Sequence, residues 1–165
     1  LAYRLCLFGA GRIIYTAVAA LPVILFIVVQ RSHFLLPSDG LTLALFLGST
    51  VLTALLQFLM SYTIALLAFW VLEVSTFIFI LFAFEYIAGG HLFPLDILPS
   101  ALAQALSYTP FPYQLYFPVS IYLGRITGDE LWRGLLIQSF WVVALYGLAR
   151  FAWDRGIRRY AAVGG

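Results

Sequence analysis

The chain has 165 residues, of which 64% are hydrophobic and 10% charged, with a net charge of +2 and a mean hydropathy of +1.02. A soluble domain carries about 25% charged and about 45–50% apolar residues, so this composition excludes an ordinary soluble enzyme, a disordered tail and a nucleic-acid module, and indicates a membrane protein. All nine basic residues are Arg, too dispersed for a phosphate-tracking stripe, and the single Cys6 excludes an intrachain disulfide or a multi-Cys zinc site.

The chain opens at Leu1 without a methionine or a basic stretch before an apolar run, so no cleavable signal is visible and a fragment is expected. A helix needs about 20 apolar residues to cross a hydrocarbon core of about 30 Å. The eighteen uncharged residues Ile13 to Gln30 predict the first span (13–30), kinked at Pro22. Polar and turn-forming residues from Gln30 to Gly40 then predict an aqueous loop. From Gly40 to Leu72 no residue is charged, and with the next apolar run this stretch is long enough for two spans, 42–68 and 74–90. A turn at Met60–Thr63 would strand Glu73 in hydrocarbon. A turn at Phe69–Thr76 places Trp70 in an interfacial belt and Glu73 at a helix N-terminus, and is preferred.

Residues 91–124 hold five of the seven prolines: Pro94, Pro99, Pro110, Pro112 and Pro118. Pro99 suits the first position of a helix to about Tyr108, and a second short helix is expected from about Pro112 to Tyr122, bent at Pro118. Each is about ten residues, too short to cross, and broken backbone at membrane depth needs protein or water around it. The prediction is a re-entrant or interfacial helix pair, either a lid over the spans or a gate on a substrate path. The last span, 131–153, is bracketed by Trp132 and Trp153, about 31 Å apart along a helix. A tail, 154–165, carries Arg155, Arg158 and Arg159.

The fold class predicted is thus an all-α integral membrane protein, one transmembrane domain with four spans and a proline-broken segment before the last. Six arginines on the side of both termini against three on the other place the C-terminus in the cytoplasm.

Gly89-Gly90-His91-Leu92-Phe93-Pro94 with Leu98-Pro99, and Tyr108-Thr109-Pro110-Phe111-Pro112-Tyr113, resemble the segments that follow the fifth span and precede the last span of type-2 ABC transporter permeases. Phe69-Trp70, Tyr116-Phe117-Pro118, Leu123-Gly124-Arg125 and the ending Arg158-Arg159-Tyr160-Ala161-Ala162-Val163-Gly164-Gly165 are similar to one bacterial subfamily of them. The resemblance is strongest from Phe69 to Gly165. It implies the last four of six spans, a cell-membrane location, a second permease subunit, a separate ATP-binding subunit that holds ATP–Mg, and no cofactor in this chain. It also implies an exporter whose outer gate is shaped by Phe93, Pro94, Pro99, Pro110, Phe111 and Pro112. A cytoplasmic elbow at Phe69, Trp70 and Glu73 would lie near the ATPase.

Other motifs carry less. Gly9-Ala10-Gly11 lacks the glycine a dinucleotide loop needs at position 14, and no GxxxxGK[ST] occurs in a chain without Lys, so ATP hydrolysis falls to a partner. His33 and His91 lack ligand-spaced neighbours, and no metal site is expected. The polar residues inside spans (Gln57, Ser61, Thr63, Gln138, Ser139) include no protease-type base. Glu85 is the one acid inside a predicted span, either a functional carboxylate or a group near the outer surface paired with His91 or Arg125. Two alternatives to the permease follow: an ATP-independent carrier using Glu85, and a membrane-embedded lipid-modifying enzyme.

Overall fold

A computed structural model describes residues 2–29 and 39–163. The chain divides into two compact units, Leu1–Ser38 and Asp39–Gly165. The first holds α1 (Ala2–Val29), a 28-residue helix that continues through Pro22. Most of the predicted aqueous loop, 30–38, lies outside the described residues.

The second unit opens at Asp39, whose carboxylate accepts from the backbone N–H of Leu41 (3.2 Å) and Thr42 (3.4 Å) and so caps α2 (Gly40–Ala65). The helix runs straight through Met60–Thr63, one of the two candidate turns. It tightens into a 3₁₀ turn, Leu66–Phe69, and ends where the Trp70 and Val71 N–H groups bond back to Leu67 O. The break therefore falls within 69–76, the second of the two candidate turns. From there α3 (Ser75–Ala88) runs 14 residues, about 21 Å, until Gly89 and Gly90 break it. Gly90 has φ +85°, which a side chain rarely adopts.

The proline-rich stretch folds as short pieces: a 3₁₀ turn Leu95–Ile97, α4 (Ser100–Ser107), a 3₁₀ turn Phe111–Gln114, and α5 (Tyr116–Tyr122). Pro94, Pro99 and Pro110 each stand immediately before one of these pieces, at the flanking rather than the first helical position, with the missing N–H where no helical bond is needed. The expected helix from Pro112 is thus divided: Pro112 lies in the 3₁₀ turn, and α5 begins only at Tyr116.

The last helix, α6 (Gly128–Val163), has 36 residues. The segment read as a tail after Trp153 is helical up to Val163. Its one internal breaker, Gly156, lies buried under Phe69, where a β-carbon would run into the ring. Among the described residues every regular element is helical. Among the described residues, two stretches are long and apolar enough to cross a membrane, Gly40–Phe69 and Gly128–Arg159.

These two helices pack side by side and run parallel. Leu41 and Leu45 line a pocket with Gly128 and Leu131 at their N-terminal ends, Ser49 meets Gln138 midway, and Phe69 meets Trp153 and Gly156 at the far end. The core between them and the proline-rich segment comprises Leu56, Met60, Tyr113, Phe117, Ile121 and Leu131. Gly134 lets Phe117 approach α6 so closely that a β-carbon there would overlap the ring.

Candidate functional site

The site is built where the proline-rich segment reaches into the α2–α6 seam. Ser49 and Thr53 lie one turn apart on α2, on one face, and Gln138 faces them from α6. The Gln138 amide is fully buried (0% exposed). Its Nε2, with two N–H donors, lies within hydrogen-bond distance of Ser49 O (3.1 Å), Thr53 Oγ1 (3.1 Å) and Tyr113 O (3.0 Å), and its Oε1 accepts from Ser49 Oγ (3.0 Å). Thr53 Oγ1 in turn donates to Tyr113 O (2.9 Å). The carbonyl freed by the Pro112-bearing turn is thereby satisfied from two helices, which is what broken backbone in an apolar surround requires.

From this point the segment climbs on both sides. Along α5, Tyr122 packs on Phe46 (5.3 Å between rings), near the start of α2. On the other side Tyr113 Oη donates to Ser107 O (2.7 Å), and Trp141 Nε1 and Arg133 Nη2 of α6 donate to Tyr108 O (3.0 Å) and Tyr108 Oη (2.9 Å). The Arg133 guanidinium also lies over the Tyr108 ring, 5.8 Å from its centre. Asp96 is held by Arg125 (3.2 Å) and by the Tyr116 hydroxyl. Burial pushes the Tyr113 hydroxyl up to about 12, against a smaller opposing pull from Arg133. Burial and then the Asp96 hydrogen bond raise Tyr116. Both phenols therefore act as donors at neutral pH.

Two adjoining pockets open beside this framework. One of about 180 Å³ lies against α6 at Arg133, Gly134 and Ile137, and one of about 400 Å³ lies under Leu95, Asp96 and Leu98. They share Ser107, Pro112, Tyr116 and Glu130. The walls are apolar and the rim carries Asp96, Glu130 and Arg133, so the groove suits an amphipathic molecule.

Of the residues expected to shape a gate, the structure gathers Pro110, Phe111 and Pro112 at the deepest turn, with Pro112 buried and Phe111 stacked on Phe84 of α3 (6.1 Å). Phe93, Pro94 and Pro99 sit higher, where Pro94 and Pro99 are exposed and bracket residues lining the larger pocket. At the elbow, Phe69 inserts between Trp70 (6.0 Å) and Trp153 (5.9 Å), and Glu73 accepts from Ser75 Oγ (2.9 Å). Glu85 is 6% exposed and accepts from Gln57 Nε2 (3.3 Å). Arg125, one of the partners expected for it, is paired with Asp96, and His91, the other, stacks on Tyr86 (5.1 Å).

The Gln138 clasp escaped the sequence reading. Its signal was an amide alone in an apolar run, and Ser49 and Thr53 read there only as small residues for helix approach.

Among the described residues, two helices are long and apolar enough to cross a membrane, and a proline-broken segment lies between them in the chain. The family model described as ABC-2 family transporter protein matches residues 4–164, so the chain belongs to that family of transport permeases. Neither a curated protein nor a solved structure matches it.

Proposed function

We infer that the chain is the membrane part of an ATP-driven exporter, with α1, α2, α3 and α6 as four spans and the proline-rich segment as a re-entrant gate. The observation that carries this reading is the Gln138 clasp. A segment too short to cross is tied by one turn to Thr53, near the middle of α2, and to Gln138, about a third of the way along α6, and both its ends return toward the N-terminal ends of these helices. The parallel course of α2 and α6 supports an odd number of crossings between them, which gives α3 and its flanks the role of the return span. The arginines past Trp153 support a cytoplasmic C-terminus at the inner or plasma membrane.

The chain has no Lys and no phosphate-binding loop, so ATP–Mg binds an ATP-binding partner subunit, and a second permease, identical or homologous, completes the path. ATP binding shifts inward- and outward-open states only through differential affinity for them. The elbow of Phe69, Trp70 and Glu73 is the side on which that partner docks. Substrate leaves by the groove at Pro110, Phe111 and Pro112, whose apolar walls and charged rim select amphipathic molecules.

The test is efflux from proteoliposomes holding the full-length permease and its co-purified ATPase. Efflux that requires ATP, and that Pro110→Ala with Pro112→Ala lowers at least tenfold while the complex stays assembled, is the expected result. Unchanged efflux in that variant overturns the gate; a permease that purifies alone and moves substrate without ATP overturns the class of transporter.

A further inference from the structure

Most polar groups of the groove beneath the proline-rich segment are already engaged with the protein. Tyr116 Oη donates to one Asp96 oxygen, and the other accepts from Arg125 Nη1 (3.2 Å). Ser107 Oγ donates to Gln104 O (2.7 Å). Arg133 donates to Tyr108 Oη (2.9 Å) with its guanidinium over the same ring, and of the two cavities it lines the smaller alone. Glu130 differs. It lines both cavities and has no hydrogen bond or ion pair among the described residues.

The charge left over sits in the larger cavity of about 400 Å³, within the range of about 300–1,000 Å³ typical of small-molecule sites. Asp96 and Glu130 line it, and no basic residue does. Arg125 answers Asp96 from outside that lining, which leaves one carboxylate uncompensated. The floor is apolar and buried at Leu95 and Pro112, and Leu98 and Ala103 add half-buried apolar walls. An acid in the first turn of α6 also favours the helix dipole, but Asp129 serves that purpose and lines neither cavity. The dipole therefore gives no reason for a second carboxylate on the groove.

We propose that this groove binds a singly charged organic cation with an apolar body, its ammonium or phosphonium centre at Glu130 and its body on Leu95, Leu98 and Pro112. Tyr116, which lines both cavities, adds an aromatic ring of the kind that attracts such cations. The unengaged carboxylate sets the sign of the ligand's charge, because it accepts hydrogen bonds, attracts a cation and repels an anion. A phospholipid headgroup would bring a phosphate with its ammonium, and in the larger cavity that phosphate would meet two carboxylates and no basic residue. The ligand is therefore a soluble amphiphilic cation rather than a membrane lipid. Taking this class as the exported substrate rests on the exporter reading; binding at Glu130 rests on the chemistry of the groove alone.

The test is equilibrium binding of tetraphenylphosphonium to the full-length protein in phosphatidylcholine nanodiscs, with empty nanodiscs as the blank. Saturable binding is expected, with Kd raised about fivefold in Glu130→Gln and kept in the control Asp129→Asn. Ala103→Trp, which fills the larger cavity, should abolish it, and added salt should weaken it more in the wild type than in Glu130→Gln. Absence of saturable binding, or equal affinity in wild type and Glu130→Gln, overturns the proposal, as does binding retained in Ala103→Trp. Equal affinity for tetraphenylborate, an anion of the same shape, overturns it as well. Binding seen in detergent but lost on adding phosphatidylcholine assigns the groove to a lipid headgroup and also overturns it. Because binding is read without ATP, its failure leaves ATP-driven efflux standing, and its success survives a permease that moves substrate without ATP.

Discussion

The α2–α6 pair is held in two different ways along its length. At its middle, directional hydrogen bonds from Gln138 join α2, α6 and the Phe111–Gln114 turn. At the elbow the contact is made by rings: Phe69 seated over Gly156 and edge-on to Trp153. The difference follows from what each region must accommodate. Backbone broken by prolines exposes carbonyls that only donors can satisfy, whereas at the elbow the end of α2 packs on an unbroken stretch of α6 whose own backbone groups are paired within the helix. Apolar side chains gain little from leaving lipid for protein, so at the elbow close shape fit carries the association.

Four substitutions break or sharpen this contrast. The largest effect is expected from Gly134→Val, which drives a side chain into Phe117 and should cost about 3 kcal/mol or displace α5. Denaturation of the full-length protein in detergent measures it, and a companion Phe117→Ala that restores stability identifies the clash as the cause. Next is Gln138→Leu, of nearly the same volume, which leaves the Ser49 and Thr53 hydroxyls and Tyr113 O short of a partner. The expected loss is about 2 kcal/mol with faster hydrogen exchange confined to the Phe111–Gln114 region. Exchange spread evenly over α2 and α6 would contradict a clasp dedicated to the turn.

At the elbow, Gly156→Ala should cost about 1–2 kcal/mol, because the Phe69 ring must withdraw. Pairing it with Phe69→Leu should recover most of the loss, and an additive double-mutant cycle would show that the two residues do not touch. Smallest is Arg125→Ala. The Arg125 and Asp96 side chains are 57% and 52% exposed, so about 0.5 kcal/mol is expected, falling further as salt is raised.

The breaks between helices within 69–76 and in the proline-rich segment are legible in the sequence, because both depend on local chemistry. A charge resists hydrocarbon, and proline lacks an N–H, wherever each sits in the fold. The sequence reading bounded the last span at Trp132 and Trp153 by the aromatic belt, whereas α6 continues as helix to Val163. An interfacial tryptophan marks a depth but does not break a helix, and nothing local stops α6 before Val163.

Which side chains meet across elements was beyond it. Helices that are apolar on nearly every side carry no amphipathic stripe to say which face is packed and which meets lipid. Gln138 finds Ser49 across 89 positions, Gln57 finds Glu85 across 28, and Phe69 finds Gly156 across 87. Composition and punctuation by themselves determined that the chain is helical, belongs in a membrane and is broken into short pieces between Pro94 and Pro112. The partners of its few buried polar groups, and the glycines that let rings approach, were decided by tertiary packing. Those pairings depend on helix rotation and register, which a lipid-like solvent leaves unspecified until the helices are in contact.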